Sequence, residues 1–240
     1  TKDQLNLHFI VFIWGFTAIL GKFISIDALA LVYNRTAITS VAIGIYLLVL
    51  KRGFKANSKD LLFMWLCGIL IAVHWITFFG AIKISNVSIT LAGVSTGALW
   101  SSLLSPILSK TKFDPIELLL GLLVILGIGI VFYEEPNTAD IRHLSYFGFE
   151  LTNFQLGLII ALFSSMLSAS FSILNKQLVT RYPKPVQVTF WELTFAFLSI
   201  VIYSLIVGDN PMNLWATQNS DWIYIAILAL ACTAYPFIKS

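Results

Sequence analysis

Along the chain, apolar residues gather into eight long runs almost free of charge, at about 5–24, 28–50, 61–82, 86–108, 115–133, 155–177, 186–207 and 222–238. They do not alternate between apolar and polar, as the ~10-residue segments of a membrane β-barrel would. About 20 helical residues cross about 30 Å of hydrocarbon, and these runs have that length. The pattern predicts an all-α integral membrane protein with about eight transmembrane helices. Punctuation agrees at several edges. Asp114-Pro115 reads as an N-cap followed by a first-turn proline, Pro185 opens the seventh run in the same way, and Gly208-Asp209-Asn210-Pro211 closes it.

Composition strengthens this picture. The 240 residues are 58% hydrophobic and 11% charged, against roughly 45–50% and about 25% in a soluble domain. Cys67 and Cys232 both lie in apolar runs, form no CxxC motif and read as small buried hydrophobes. The net charge of +3 matters only through its placement. With the N-terminus taken as cytoplasmic, inside segments hold Lys2, then Lys51, Arg52, Lys55 and Lys59, then Lys110 and Lys112, then Lys176, Arg181 and Lys184, and finally Lys239. Outside segments hold only Lys22, Lys83 and Arg142, with the acidic residues Asp27, Glu134, Glu135, Asp140, Glu150, Asp209 and Asp221. This is the positive-inside bias of a multi-pass protein in a plasma or inner membrane. Lys2, the first run and Ala28-Leu29-Ala30 also look like a signal peptide with its cleavage site. The repeat described next makes the first run a helix that stays.

The halves of the chain echo one another. Phe16-Thr17-Ala18-Ile19-Leu20-Gly21-Lys22 resembles Ser170-Phe171-Ser172-Ile173-Leu174-Asn175-Lys176, and Ile45-Tyr46-Leu47-Leu48-Val49 resembles Ile202-Tyr203-Ser204-Leu205-Ile206. The third and eighth runs each follow an aspartate, Asp60 and Asp221. Runs one to three therefore recur as six to eight. Five helices separate the copies, an odd number, so the second copy is inverted. Inverted repeats are characteristic of secondary transporters, whose solute site lies near the midplane between the halves.

The stretches FIWGFTAILGKF, LVYNRTA, AIKISNVSITLAG, FSILNKQL and TFWEL together resemble the EamA group of the drug/metabolite transporter superfamily. The resemblance implies ten helices in two inverted five-helix repeats, cytoplasmic termini, a central cavity, and export of amino acids or other small metabolites by alternating access. It divides the chain into a first repeat at 1–135, an acidic extracytoplasmic loop at 136–153, and a second, incomplete repeat at 154–240. The chain starts at Thr1 and stops after the eighth run, so it is expected to be a trimmed member that lacks the partners of spans four and five. It also carries Leu104-Ser105-Pro106 where relatives often have Glu-Pro, so no role of that glutamate is carried over.

Ionisable residues inside a span are costly and usually face the bundle interior or a wet cavity. Three stand out. Arg35 lies about 10 Å into span two from the outside and reads either as a bidentate carboxylate binder or as a snorkelling, structural arginine. Glu192 lies at mirror depth from the inside. It reads as a receptor for a substrate ammonium, as a proton-coupling carboxylate, or as a helix–helix hydrogen bond. His74, beside Trp75, reads first as an interhelical donor and second as a proton relay. Trp65, Trp215 and Trp222 near span ends read as interfacial belt, while Trp14, Trp75, Trp100 and Trp191 lie deeper, as cavity walls or packing. With Asn175 of the repeat, the candidate substrate-binding residues are Trp14, Arg35, His74, Trp75, Trp100, Asn175, Trp191 and Glu192. Gly93-x-x-x-Gly97 predicts close helix packing in a run rich in small hydroxyl residues.

No HExxH, GxSxG, P-loop or GxGxxG is present, so the expectation is a transporter and not an enzyme, without cofactor or metal. Intramembrane enzyme and membrane receptor are the alternatives. The basic residues are too scattered for nucleic acid. The expected partners are a small-molecule solute and the lipid bilayer, with the proton as candidate coupling ion and a homodimer as candidate assembly.

Overall fold

A computed structural model describes residues 2–133, 142–146, 149–182, 184–208, 210–216 and 218–239. Its helices follow the apolar runs: α1 (Lys2–Phe23), α2 (Ala28–Val49), α3 (Ser58–Ile84), α4 (Val87–Val94), α5 (Gly97–Ser109), α6 (Pro115–Tyr133), α7 (Asn153–Val179), α8 (Pro185–Val207), α9 (Asn219–Ala229) and α10 (Tyr235–Lys239). Seven crossings are long and apolar enough to span a membrane, with Val87–Ser109 and Asn219–Lys239 each counted as one. The expected eighth, in α6, is shorter in its described portion, Pro115–Ile130. The eight apolar runs thus appear among the described residues as seven spanning crossings and one shorter apolar helix, in keeping with the expected fold. The protein is an all-α multi-pass membrane protein, with one small hairpin among the described residues. That hairpin, β1 (His143–Tyr146) against β2 (Phe149–Thr152), pairs His143 with Thr152 in a segment expected to be plain loop. Glu134, Glu135, Asp140 and Asp209 lie outside the described residues.

Local chemistry explains the helix ends. Asp27 Oδ1 accepts the Ala30 amide at 2.8 Å to start α2, and Asn86 Oδ1 accepts the Ile89 amide at 2.9 Å to start α4. Asp114 takes the Ile116 amide at 2.9 Å beside Pro115. Thr152 and Gln155 exchange bonds as a capping box at the head of α7. Gly208, at φ +86°, ends α8 in the left-handed conformation that glycine tolerates.

Two runs that read as single helices are interrupted. Between α4 and α5 the chain carries Ser95 and Thr96, and three carbonyls at the break accept hydroxyls, two of them beside a tightened backbone bond. Ser95 bonds Ala92 O at 2.6 Å, Thr96 bonds Gly93 O at 2.6 Å, and Ser165 of α7 bonds Val94 O at 3.1 Å. Between α9 and α10 lies a π turn, Leu230–Ala234. Pro236 follows it. Proline has no N–H for a carbonyl four residues back and its ring crowds that carbonyl, so a widened turn upstream relieves both. The Tyr235 amide bonds Leu230 O, five residues back.

Residues pack into two units. One comprises 1–72 with 175–240 and the other 73–174. Each unit draws on both expected repeats, so a packing unit here is not a sequence repeat. In the second unit α7 runs against α3, α4 and α5 through small residues. Ser85 stands where a Cβ on Gly157 would go. A Cβ on Gly93 would lie 2.5 Å from Ala161 Cβ, and one on Gly97 would lie 3.5 Å from Ser165 Oγ. Lipid gives helices no hydrophobic reason to associate, so such close approach supplies the packing.

In the first unit, buried polar side chains fasten the connecting turns. Asn34 of α2 donates to Leu214 O at 2.6 Å and accepts from the Ala216 amide at 3.3 Å, holding the turn before α9. Gln187 of α8 donates to Arg52 O at 2.8 Å and Gly53 O at 3.0 Å, holding the turn before α3. Asp221 takes the Ser25 amide and hydroxyl at 2.8 and 2.6 Å, while Asp60 takes Arg181 at 3.1 Å and the Tyr182 hydroxyl at 2.9 Å.

Candidate functional site

The first unit holds two buried charged side chains with different surroundings. Arg35 is 3% exposed. Its Nε donates to Thr233 Oγ1 at 2.9 Å, and Thr233 Oγ1 in turn donates to Leu228 O at 2.8 Å across the π turn. Thr39, one helical turn along α2, bonds Ala229 O at 3.2 Å at the start of the same turn. The Cys232 thiol lies beside the guanidinium, and the Thr17 hydroxyl of α1 stands against that thiol. Arg35 is therefore built into a polar contact among α1, α2 and the π turn, and the turn presents its threonine because Pro236 widens it.

Glu192 is fully buried on α8. Neither carboxylate oxygen has a hydrogen-bond partner among the described residues. The group against it is the Cys67 thiol of α3, a weak donor. α3 comes so near because Gly68 follows: a Cβ there would sit 2.6 Å from Glu192 O and 2.9 Å from the Ala196 amide nitrogen. A buried carboxylate without donors is costly, and costlier in a membrane interior. Such a group can receive an ammonium or exchange a proton. Arg35 does not neutralise it: Arg181 with Asp60 forms the one ion pair among the described residues.

The other sequence candidates separate into anchored and unanchored groups. His74 Nδ1 lies 2.9 Å from both the carbonyl and the hydroxyl oxygen of Ser164, and Ser164 Oγ donates to His74 O at 2.9 Å. A carbonyl only accepts, so Nδ1 carries the proton in that bond. This is a reciprocal α3–α7 lock inside the second unit. Trp75 is buried there as well. Trp191 donates to Phe54 O at 3.1 Å and stacks on Phe195, so it braces the turn before α3. Trp14, 46% exposed, lies on the outer surface of the described chain. The Trp100 indole nitrogen and the Asn175 carbonyl oxygen are buried without partners among the described residues. Trp100 lies in one unit and Asn175 in the other.

Comparison with known proteins fixes the family. Residues 5–133, more than half of the chain, match the EamA-like transporter family. The chain belongs to that family. No curated protein matches the EamA-like chain. One solved crystal structure, described only as that of a protein, covers 99% of this chain and 77% of its own, with TM-score 0.61 and 17% identity. At that identity the likeness concerns fold alone.

Sequence reasoning missed three features of this EamA-like protein. Cys67 read as a bland apolar filler, although it faces Glu192. Thr233 drew no notice, although Pro236 three residues later was the signal for a distorted turn. Asn34 and Gln187 were passed over because their duty is to backbone carbonyls and amides far away in sequence, which no local pattern reveals.

Proposed function

We propose that this EamA-like membrane transporter is a secondary exporter of small organic metabolites, amino acids among them, working by alternating access. In this reading its N-terminus is cytoplasmic and it resides in the plasma or inner membrane. Glu192 is the central residue. It receives the ammonium of the solute or exchanges a proton for it, and the carrying observation is its complete burial with only the weakly donating Cys67 thiol against it. Arg35 serves as the counter-group for a solute carboxylate or as a structural brace. Its bond to Thr233 favours the brace.

The inverted five-helix repeats at 1–135 and 154–240 belong to the same proposal. Reciprocal fastening supports them. Asn34 of the second run grips the turn after the seventh, and Gln187 of the seventh grips the turn after the second. Asp60 before the third run and Asp221 before the eighth exchange partners in the same sense, each holding the turn between the first two runs of the other copy. Two inverted copies that trade equivalent bonds would produce this pattern.

The test is efflux of a labelled amino-acid mixture from proteoliposomes holding the full-length protein. Glu192→Gln is expected to lower the rate about tenfold or more, the loss of one charged hydrogen bond of roughly 1.5–3 kcal/mol. It should also flatten any pH dependence of the wild-type rate. An unchanged rate and pH profile would remove Glu192 from the mechanism.

A further inference from the structure

The turn between α2 and α3 forms a built, basic cleft that the transport reading does not use. It is an open hollow of about 630 Å³ lined by Lys51, Arg52, Lys55 and Lys184, with Gln187 and Tyr182 among its walls. The turn is held at three points. Gln187, 6% exposed, bonds the Arg52 and Gly53 carbonyls, Trp191 bonds the Phe54 carbonyl, and the Asn57 amide donates to the Tyr182 hydroxyl at 3.0 Å. Lys51 and Gly53 adopt positive φ, 49° and 72°, which turns the chain sharply here. Arg52 is half-buried, its guanidinium 5.4 Å from the centre of the Tyr46 ring. Asp60, the carboxylate on the first turn of α3, is already held by Arg181 and Tyr182.

A positive-inside bias alone asks only for exposed cations, such as Lys110 and Lys112 on open chain between α5 and α6. It does not ask for a fastened cleft with a half-buried arginine. The turn that Asn34 fastens makes the contrast sharper. Residues 210–216 are gripped in the same manner and carry no lysine or arginine. Fastening is therefore general to the fold, and the cluster of cations is particular to one turn. We infer that the Lys51–Arg52–Lys184 cleft binds a phosphate-bearing anion, the headgroup of an anionic phospholipid whose acyl chains run beside the adjoining helices. Lysine and arginine near a membrane surface attract anionic headgroups, and basic pockets at helix ends hold them. The planar guanidinium of Arg52 suits two phosphate oxygens. The inference needs a membrane surface at this turn, not the proposed solute or its direction.

The full-length protein, offered equal phosphatidylglycerol and phosphatidylcholine in detergent, is examined by native mass spectrometry. Phosphatidylglycerol is expected to be retained preferentially. Each cation removed should cut the preference about fivefold, as roughly 1 kcal/mol per basic residue implies. Lys51→Gln with Arg52→Gln and Lys184→Gln should abolish it, while Lys110→Gln with Lys112→Gln should not. Gln187→Leu keeps every cation and unfastens the turn. It should weaken the preference and serves if the triple variant does not fold. Equal retention of the two lipids, a preference that survives these variants, or equal loss in the Lys110 and Lys112 control would each overturn the inference. So would displacement of the lipid by millimolar inorganic phosphate or glycerol phosphate, which would make the site one for a soluble anion.

Discussion

Arg35 of α2 and Glu192 of α8 invite comparison because both are ionisable side chains in apolar helices and both are sealed from solvent. Their surroundings are unlike. Arg35 is met by a threonine presented on a π turn, with Thr39 tying the same turn back to α2. Glu192 is met by a thiol and by glycine-permitted backbone. Arg35 is met by a distorted turn of another helix that offers it a hydroxyl, while Glu192 is met by tight packing and a thiol alone. Burial alone therefore says little about the duty of a membrane charge, and the donors that reach it say more.

The largest expected effect tests that contrast through stability. Arg35→Ala removes a long buried side chain and its bond to Thr233, and should cost about 2–4 kcal/mol. Glu192→Gln keeps the shape, removes an ionisable group that only a weakly donating thiol faces, and should leave stability unchanged or raise it. Thermal or denaturant unfolding of both variants in the same detergent decides the matter. Losses of similar size would mean that Glu192 has an unseen structural partner, and the contrast would fail.

A smaller effect probes how Glu192 is enclosed. In Gly68→Ala the new methyl meets backbone atoms, Glu192 O at 2.6 Å and the Ala196 nitrogen at 2.9 Å, so no side chain can swing aside. The helices must part, at about 1–3 kcal/mol. Parting them should raise the labelling rate of Cys67 by a membrane-permeant maleimide. Gly15→Ala, with open space around its Cβ position, is the control and should do neither. Wild-type labelling and stability in Gly68→Ala would show that α3 does not seal the carboxylate.

Much of this was legible in the sequence, for a physical reason. Membrane spans announce themselves by length and lack of charge, so the helices fall within a few residues of the apolar runs. Aspartate and asparagine caps and the Asp114-Pro115 start were readable for the same local reason. What could not be read depends on partners distant in the chain. The break at Ser95-Thr96 is stabilised in part by Ser165 of another helix, and the π turn answers to Pro236 and to Arg35 together. Of the candidate site, the residues were nameable but their duties were not. Glu192, Arg35 and His74 look alike as isolated polar positions in greasy runs, and only their donors and acceptors separate them.

His74 supplies the calibration for that separation, and it carries the smallest expected effect. It is polar and within an apolar helix like Glu192, yet it exchanges bonds with Ser164 in both directions. A double-mutant cycle of His74→Ala and Ser164→Ala isolates the one bond between the two side chains, Nδ1 to Oγ, and should return a coupling of about 0.6 kcal/mol, the usual size of an interhelical hydrogen bond in a membrane protein. Export by the two single variants should persist in proportion to folded protein, because in this reading the bond holds α3 to α7 and handles no solute. A coupling near zero would mean that a visible bond is no guide to structural duty. The absence of one at Glu192 would then lose its force as an argument for transport. A coupling of the expected size, with export intact, would leave Glu192 as a buried ionisable group with only a weak thiol donor, whose setting calls for a solute or a proton.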